Sequence, residues 1–486
     1  MSENEVYTVA QHQKKKSRRG FFITLLALVT LISFVLGVGI GRATSDPEII
    51  YRNDSSLANF DAVLKILTTK FYYGEGTEEY KNKLIEDAIK GMVNAQGDIH
   101  TEYMTPEELE GFNGSLQSTF VGIGIRYNEL DGKIFVIETL YSSPAEKAGI
   151  LPGDYIIAVD GVKAEEEGVD VLVSMIPGEI GSTVTVTVQR GSDTFDVPVS
   201  RGLIESTVYS TTKEGVGVVT VTSFGTGTAD ELKNHLERIK SAGINDLIID
   251  LRDNGGGYAA TLDQMCTYFM DNGQIVMIEE DRDGKEIIDK VEKSKKFDFR
   301  NIVILIDEGS ASCSEVFTMA LKENCNARTV GTTTYGKGVA QLTKTFSDGS
   351  ALKYTDVIWK SGKGVYIGGK GIEPDYEVRL HEALYLPQFT PEEGEEYAYD
   401  SVSYMVSNAQ YILDFLGYDV DRTDGYFSEA TAKAVAKYQQ DHGFEVTSTL
   451  NEQTCLGLNS SVIYDWNMKR DVYDTQMQKA LEIVKQ

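Results

Sequence analysis

The stretch NIVILIDEGSASCSEVFTMALK, residues 301–322, decides the fold. Residues 302–306 are an unbroken run of Ile, Val and Leu, the pattern of a strand buried on both faces. Residues 314–322 read as a helix, and Asp307-Glu308-Gly309-Ser310-Ala311-Ser312-Cys313 turns the chain between them. A serine at such a junction has backbone N–H groups beside it and a helix N-terminus behind it. Both favour negative charge, so an oxyanion can be held there. Ser312 with Glu315 also fits the S-x-x-E capping box, and on this segment alone the cap is the simpler reading.

The same rhythm extends outward. Residues 216–221 form a strand. Residues 229–240 form a helix with Leu232, Leu236 and Ile239 on one face, and 247–251 a nearly all-apolar strand. This β-α-β-α order over 203 to about 380 predicts a largely parallel sheet covered on both faces. The strand at 247–251 runs into Asp250-Leu251-Arg252-Asp253-Asn254-Gly255-Gly256-Gly257. Three glycines permit a sharp turn and a close approach to backbone, and their N–H groups could face an oxyanion. No Gly-Lys-Ser/Thr follows, which excludes a P-loop.

A serine nucleophile needs a base. Only His235 of the five histidines lies inside the α/β region, on an ordinary amphipathic helix, and it reads as a surface or boundary residue. Lys337 stands between two glycines in the loop 331–341. A free lysine, with a pKa near ~10.4, is protonated and a weak base. Burial in an apolar site would lower that pKa and free the amine to take the Ser312 proton. In isolation the bland reading, a lysine on a surface loop, is the commoner one.

On either side the pattern changes. Residues 57–113 read as helical, with Thr105-Pro106-Glu107-Glu108 as a helix start. From 114 to 202 the elements are short strands, with turn signals at Asp131-Gly132 and Asp160-Gly161. Residues 381–400 carry Pro387, Pro391 and an acidic run and read as a linker. Residues 401–458 form a small helical unit, and 459–486 end in a helix at 474–484.

The N-terminus differs in kind. A basic cluster (Lys14, Lys15, Lys16, Arg18, Arg19) precedes 20 residues, 21–40, without a charge. That length crosses a bilayer as a helix, and the basic flank places residues 1–20 in the cytoplasm and everything beyond the anchor at 21–41 outside. Removing the six Lys/Arg and two Asp/Glu of residues 1–42 leaves 40 basic and 72 acidic side chains, a net of −32. Such a surface argues against nucleic acid or anionic lipid as a partner. The four cysteines are far apart, with no metal-site spacing and no disulfide framework, and neither metal nor cofactor is expected.

Taken together, DLRDNGGG (250–257), GSASCSE (309–315), TYGKGVAQ (334–341), DGSALK (348–353) and GIEPD (371–375) resemble the carboxyl-terminal processing peptidases, also called tail-specific proteases. The resemblance implies a Ser-Lys dyad of Ser312 and Lys337, with Gln341 orienting the lysine. It implies an oxyanion hole of the Cys313 and Gly256 N–H groups. SSPAEKAGILPGDYIIAVDG (142–161) is similar to a PDZ signature. FVGIGI (120–125) is similar to the carboxylate-binding loop of that domain, which implies peptide binding by Gly122, Ile123, Gly124 and Ile125. Arg190, at the end of strand 184–188, is placed to respond to a bound tail. Residues 403–458 resemble a peptidoglycan-binding domain, though Leu413, Leu416, Val435 and Tyr438 read as core.

The expected architecture is therefore α/β and multidomain. It comprises a transmembrane anchor (21–41), a helical segment (55–113), an inserted PDZ domain (114–202), a protease core (203–390), a peptidoglycan-binding-like domain (401–458) and a C-terminal helix (459–486). The expected function is extracytoplasmic endoproteolysis near protein C-terminal tails at the membrane of a Gram-positive bacterium. Peptidoglycan is a further partner, and the oligomeric state stays open between monomer and homodimer. Two rivals remain: a non-catalytic tail-binding protein tethered to the wall, and a small-substrate serine hydrolase.

Overall fold

The computed structural model describes residues 55–486 except 117, 118, 141, 142, 206 and 393. The cytoplasmic segment and the anchor expected at 1–41 lie outside the described residues. Among the described residues no helix is long and apolar enough to cross a membrane.

The core is a six-stranded sheet in the order Val208–Lys213, Val216–Val221, Asp246–Asp250, Asn301–Ile306, Arg328–Gly331, Tyr376–Glu377. The first pair is antiparallel and every later pair is parallel. The all-apolar strands are explained by what covers each face. Leu247, Ile249, Ile302 and Ile304 point to helices Thr228–Ser241, Ala259–Cys266 and Cys313–Cys325, and meet Leu232, Leu236, Met265 and Phe317. Their neighbours Ile248, Val303 and Leu305 point the other way, onto Met477, Ala480, Ile483 and Val484 of helix Thr475–Val484.

The last helix is therefore part of the protease core rather than an appendage. The sequence reading places a terminal helix at 474–484 and assigns it no sheet to cover. It is pinned at both ends. Arg252 sits between Asp250 and Asp474, donating to both oxygens of each at 2.7–2.9 Å, with all three side chains buried. At the other end Arg328 and Asn301 donate to the Ile483 and Val484 carbonyls in the last turn of the helix.

A second, antiparallel sheet holds Glu102–Met104, Ala351–Lys360, Ile275–Asp281 and Glu286–Lys290, with Val339–Thr345 also paired to Ala351–Lys360. The strand at 102–104 corrects the all-helical expectation for 57–113: it pairs with residues 351–353, a partner remote in sequence. Around it, helices Ser55–Thr69, Glu78–Asn94 and Pro106–Leu116 form as expected. Thr105 and Glu108 cap the last of these reciprocally.

The inserted domain is a five-strand antiparallel path from Ile125–Leu130 to Asp193–Ser200, closed at its base by Thr119–Gly122 against Gly202–Glu205. The run 120–125 is split between two strands, because Gly124 takes φ +76° and a Cβ there would lie 2.5 Å from that of Ser143. In the C-terminal unit Leu413, Val435 and Tyr438 are wholly buried, and Leu416 packs at the edge of the same cluster. Residues 381–400 do not hang free. Ala383 and Phe389 join that cluster, and the Asn459 side-chain amide accepts from the Phe389 N–H and donates to its carbonyl. Helix Glu452–Met468 overruns the boundary drawn at 458 and sets Tyr464 against Phe135 of the PDZ domain, ring centres 5.6 Å apart.

Removing one partner of a buried, hydrogen-bonded ion group leaves the other charge uncompensated. Asp474→Ala should lower the unfolding free energy by about 3–5 kcal/mol, read by denaturant titration. A loss below 0.5 kcal/mol would mean that Arg252 does not clamp the last helix.

Candidate active site

Three serines stand at the turn before helix Cys313–Cys325, and the structure separates them. Ser310 Oγ donates to the Leu251 carbonyl and Ser314 Oγ to the Asn254 carbonyl, each at 2.8 Å, and both residues are wholly buried. These two hydroxyls bolt the helix start to the glycine turn. Ser312 alone is partly exposed. Its φ is +56°, a conformation that costs a serine on the order of 1–3 kcal/mol and persists only where the surroundings impose it.

Glu315 imposes it. Its carboxylate accepts four hydrogen bonds: Ser312 N–H at 2.9 Å, Lys337 N–H at 2.9 Å, Gly336 N–H at 2.7 Å and Thr334 Oγ1 at 2.5 Å. Burial pushes its carboxyl up, against these four donors. The three backbone N–H groups can only donate, so they favour the carboxylate against that burial. Thr334 Oγ1 in turn accepts from Ile372 N–H, which ties in the GIEPD segment. The capping reading of Glu315 was sound, yet the same carboxylate also holds the lysine loop against the serine turn. The S-x-x-E signal was visible in the sequence; its second use was not.

Lys337 is 2 % exposed. Burial pulls its ammonium down to about 7; the Cys313 thiol opposes that shift and Lys353 reinforces it. Among the described residues no carboxylate forms an ion pair with it. Its carbonyl accepts the Trp359 indole N–H at 2.8 Å, so the backbone of the lysine is fixed from both sides. The surface-loop reading is thus wrong, for a reason remote in sequence: the hairpin of Val339–Thr345 and Ala351–Lys360 folds over the loop.

Gly256, at φ +98°, lies against Ser312. A Cβ there would sit 2.8 Å from Ser312 Cβ and 2.9 Å from Cys313 N. Its own N–H, however, donates to Asn254 Oδ1 at 2.9 Å, which removes it as an uncommitted oxyanion donor. Gln341 is buried beside the lysine loop. Its Nε2 donates to Thr355 Oγ1 at 3.2 Å, and its Oε1 has no hydrogen-bond partner, so it does not bond Lys337 in this state. His100 is brought near, half-buried at the turn before strand Glu102–Met104, and burial followed by Lys337 pushes its imidazole down to about 4. His235 is buried rather than superficial. It bonds Ser210 Oγ at 2.8 Å and is no part of the site.

In the PDZ domain Gly122 is paired with Gly202, while Ile123 and Ile125 point into the domain core. The Ile123 and Gly124 carbonyls accept from Ala145 and Leu140, which turns them inward. Strand Ile125–Leu130 is an open edge, paired on one side only. It borders a cavity of about 1520 Å³ between the PDZ domain, strand Val208–Lys213 and the C-terminal helices, which Ser312 and Lys337 do not line. Arg190 is not presented to the 122–125 loop. Asp154 takes its guanidinium bidentately at 2.7 and 2.8 Å and the Gly149 carbonyl takes a third bond, which makes it a brace of the domain.

Glu315→Gln puts an NH2 group where two donors converge. The expected result is a loss on the order of 3 kcal/mol in stability and a fall in hydrolysis of at least tenfold, measured by denaturation and peptide cleavage. A variant of wild-type stability and rate would show that the carboxylate is only a helix cap.

Comparison with known proteins identifies the domains. Residues 215–378 match the family model Peptidase family S41, residues 121–200 a PDZ domain, and residues 403–455 a peptidoglycan binding domain. A "Probable CtpA-like serine protease" of Staphylococcus aureus (strain N315) is 34% identical over 481 residues, 97% of this chain and 96% of the relative. A protein of the same description from Staphylococcus epidermidis (strain ATCC 12228) is 32% identical over 462 residues, 94% and 93% of the two chains. The solved photosystem II D1 C-terminal processing protease is 25% identical over 66% of this chain and 86% of its own, with a TM-score of 0.40. The extent of the staphylococcal likeness carries the assignment: the chain belongs to the CtpA-like serine peptidases of family S41, the carboxyl-terminal processing type.

Proposed function

We propose that the peptidase works through a Ser312–Lys337 dyad on proteins presented by their C-terminal tails, outside the membrane that anchors it. One observation supports this reading above the others. The only lysine of the 331–341 loop is buried with its ammonium pulled down to about 7, and one carboxylate joins its backbone to that of the strained serine. A neutral amine is then abundant at ordinary pH and can accept the Ser312 hydroxyl proton as Oγ attacks the scissile carbonyl. The Cys313 N–H, in the first turn of the helix, faces the developing oxyanion. So does an amide of the glycine turn, where Gly257 lies next to the committed Gly256. Lys337 returns its proton to the leaving amine, and water repeats the cycle on the acyl-enzyme.

The open PDZ edge at 125–130 suits an extended tail added as a further strand, with its carboxylate on the N–H groups of the 122–125 loop. The uncharged run at 21–40 supplies the membrane anchor, and the C-terminal unit bears on peptidoglycan of a Gram-positive envelope. The acyl-transfer steps need no metal or cofactor.

The test is mass spectrometry of an unstructured, apolar-tailed protein incubated with the soluble part of the enzyme. Cleavage should be abolished by Ser312→Ala with the fold intact, and reduced through KM when the substrate C-terminus is amidated, because the loop then has no charge to bind. Full cleavage by the Ser312→Ala variant would end the dyad reading. Equal rates on free-acid and amidated tails would end tail recognition.

A further inference from the structure

A chain of hydrogen bonds runs from the N-terminal segment to the buried base. Asp98 precedes the short strand Glu102–Met104, which docks on Ala351–Lys360. Its Oδ2 takes the Thr355 hydroxyl and the Thr101 hydroxyl, each at 2.6 Å, and its Oδ1 takes the His100 N–H at 3.0 Å. Thr355 Oγ1 accepts from Gln341 Nε2. Gln341 is 4 % exposed, and its Oε1 is left inside the protein with no partner among the described residues.

The direction of each bond follows from chemistry. Burial acts against the charge on Asp98, but the hydrogen bonds from Thr101, Thr355 and His100 hold its carboxyl below the ordinary range. An ionised carboxylate only accepts, so Thr355 must spend its single proton on Asp98. Thr355 then has only lone pairs to offer Gln341, and the amide must present its NH2. The carbonyl oxygen is thereby turned the other way. An acceptor buried without a donor costs about 1–3 kcal/mol. Lys337, four residues earlier in the same loop-to-strand segment and itself buried, is the donor proposed for it.

We propose that Asp98 is a positioning residue for catalysis: through Thr355 it fixes the flip of the Gln341 amide, so that Oε1 receives an N–H of Lys337 and the lysine lone pair is aimed at Ser312. This deepens the dyad reading and rests on it. The base is thereby coupled to the docking of a segment 257 residues away from Thr355 in sequence, so undocking of residues 98–104 disorients the lysine without moving the serine.

Asp98→Asn reverses the chain. Its NH2 donates to Thr355 Oγ1, the threonine proton turns to Gln341 Oε1, and the lysine loses its acceptor. The full enzyme carrying Asp98→Asn, Thr355→Val or both is compared with wild type on one peptide across pH 5 to 10. Other charged or titratable groups around Lys337 (Cys313, Glu315, Lys353 and His100) are unchanged in these variants. The expected result is a 10- to 100-fold fall in kcat with KM unchanged, the same for each single variant and no greater for the pair. The acid limb should also move to lower pH in Asp98→Asn, because losing both the acceptor and the nearby negative charge disfavours the ammonium. Wild-type kcat in Asp98→Asn or in Thr355→Val, or losses that multiply in the pair, overturns the proposal; Thr355→Val keeps it falsifiable if Asp98→Asn fails to fold. Lys337→Ala is run beside them. If it is inactive while Asp98→Asn behaves as wild type, only the chain is wrong; if it is active, the base assignment itself falls.

Discussion

One buried carboxylate holds the site together. Glu315 accepts from the backbone N–H of Ser312 and from that of Lys337, the two residues of the proposed dyad, and each bond constrains what the other can do. A helix of this length could start at Ser312 with any capping group. What a neutral cap could not do is satisfy four donors at once, three of them from a loop that would otherwise leave two N–H groups unpaired in the interior. Burial pushes the Glu315 carboxyl up and the four donors oppose that shift by standing in for water. The positive φ of Ser312 is tolerated within the same arrangement.

The rest of the fold can be understood as support for that contact. The parallel sheet brings the ends of strands Asp246–Asp250 and Asn301–Ile306 side by side, so the glycine turn and the serine turn meet. Ser310 and Ser314 lock the two turns together through backbone carbonyls. The sheet needs cover on both faces, and the far face is closed by the last helix, held through Arg252. Arg252 follows directly from the strand that leads into the glycine turn. A single guanidinium therefore links the end of the chain to the base of the active site. The antiparallel hairpin lies beside the buried Lys337, with the Trp359 indole bonded to its carbonyl.

Much of this was legible in the sequence, and the limits have physical causes. The apolar strands, the three glycines and Ser312 lie in short contiguous motifs whose chemistry is local. Lys337 was readable as a candidate but not as buried, because its cover comes from residues 339–360. Glu315 was readable as a cap, while its bonds to Gly336 and Lys337 depend on a loop twenty residues on. The strand at 102–104 is three residues long and carries no periodic signal, so its pairing and the placement of Asp98 and His100 were out of reach. Arg190 was misread because position at a strand end says nothing of partner: buried Asp154, 36 residues earlier, claims it. The amide of Gly256 was likewise claimed by Asn254, two residues before it.

The central claim is that Lys337 is a neutral amine at working pH because the fold buries it without a counter-ion. The direct measurement is an NMR titration of lysine side chains labelled with ¹³C at Cε, in the Ser312→Ala enzyme, with Lys337→Arg used to assign the resonance. The account predicts one lysine titrating near pH 7, charged below and neutral above. A Lys337 resonance that stays in the ammonium form beyond pH 9.5 would contradict it.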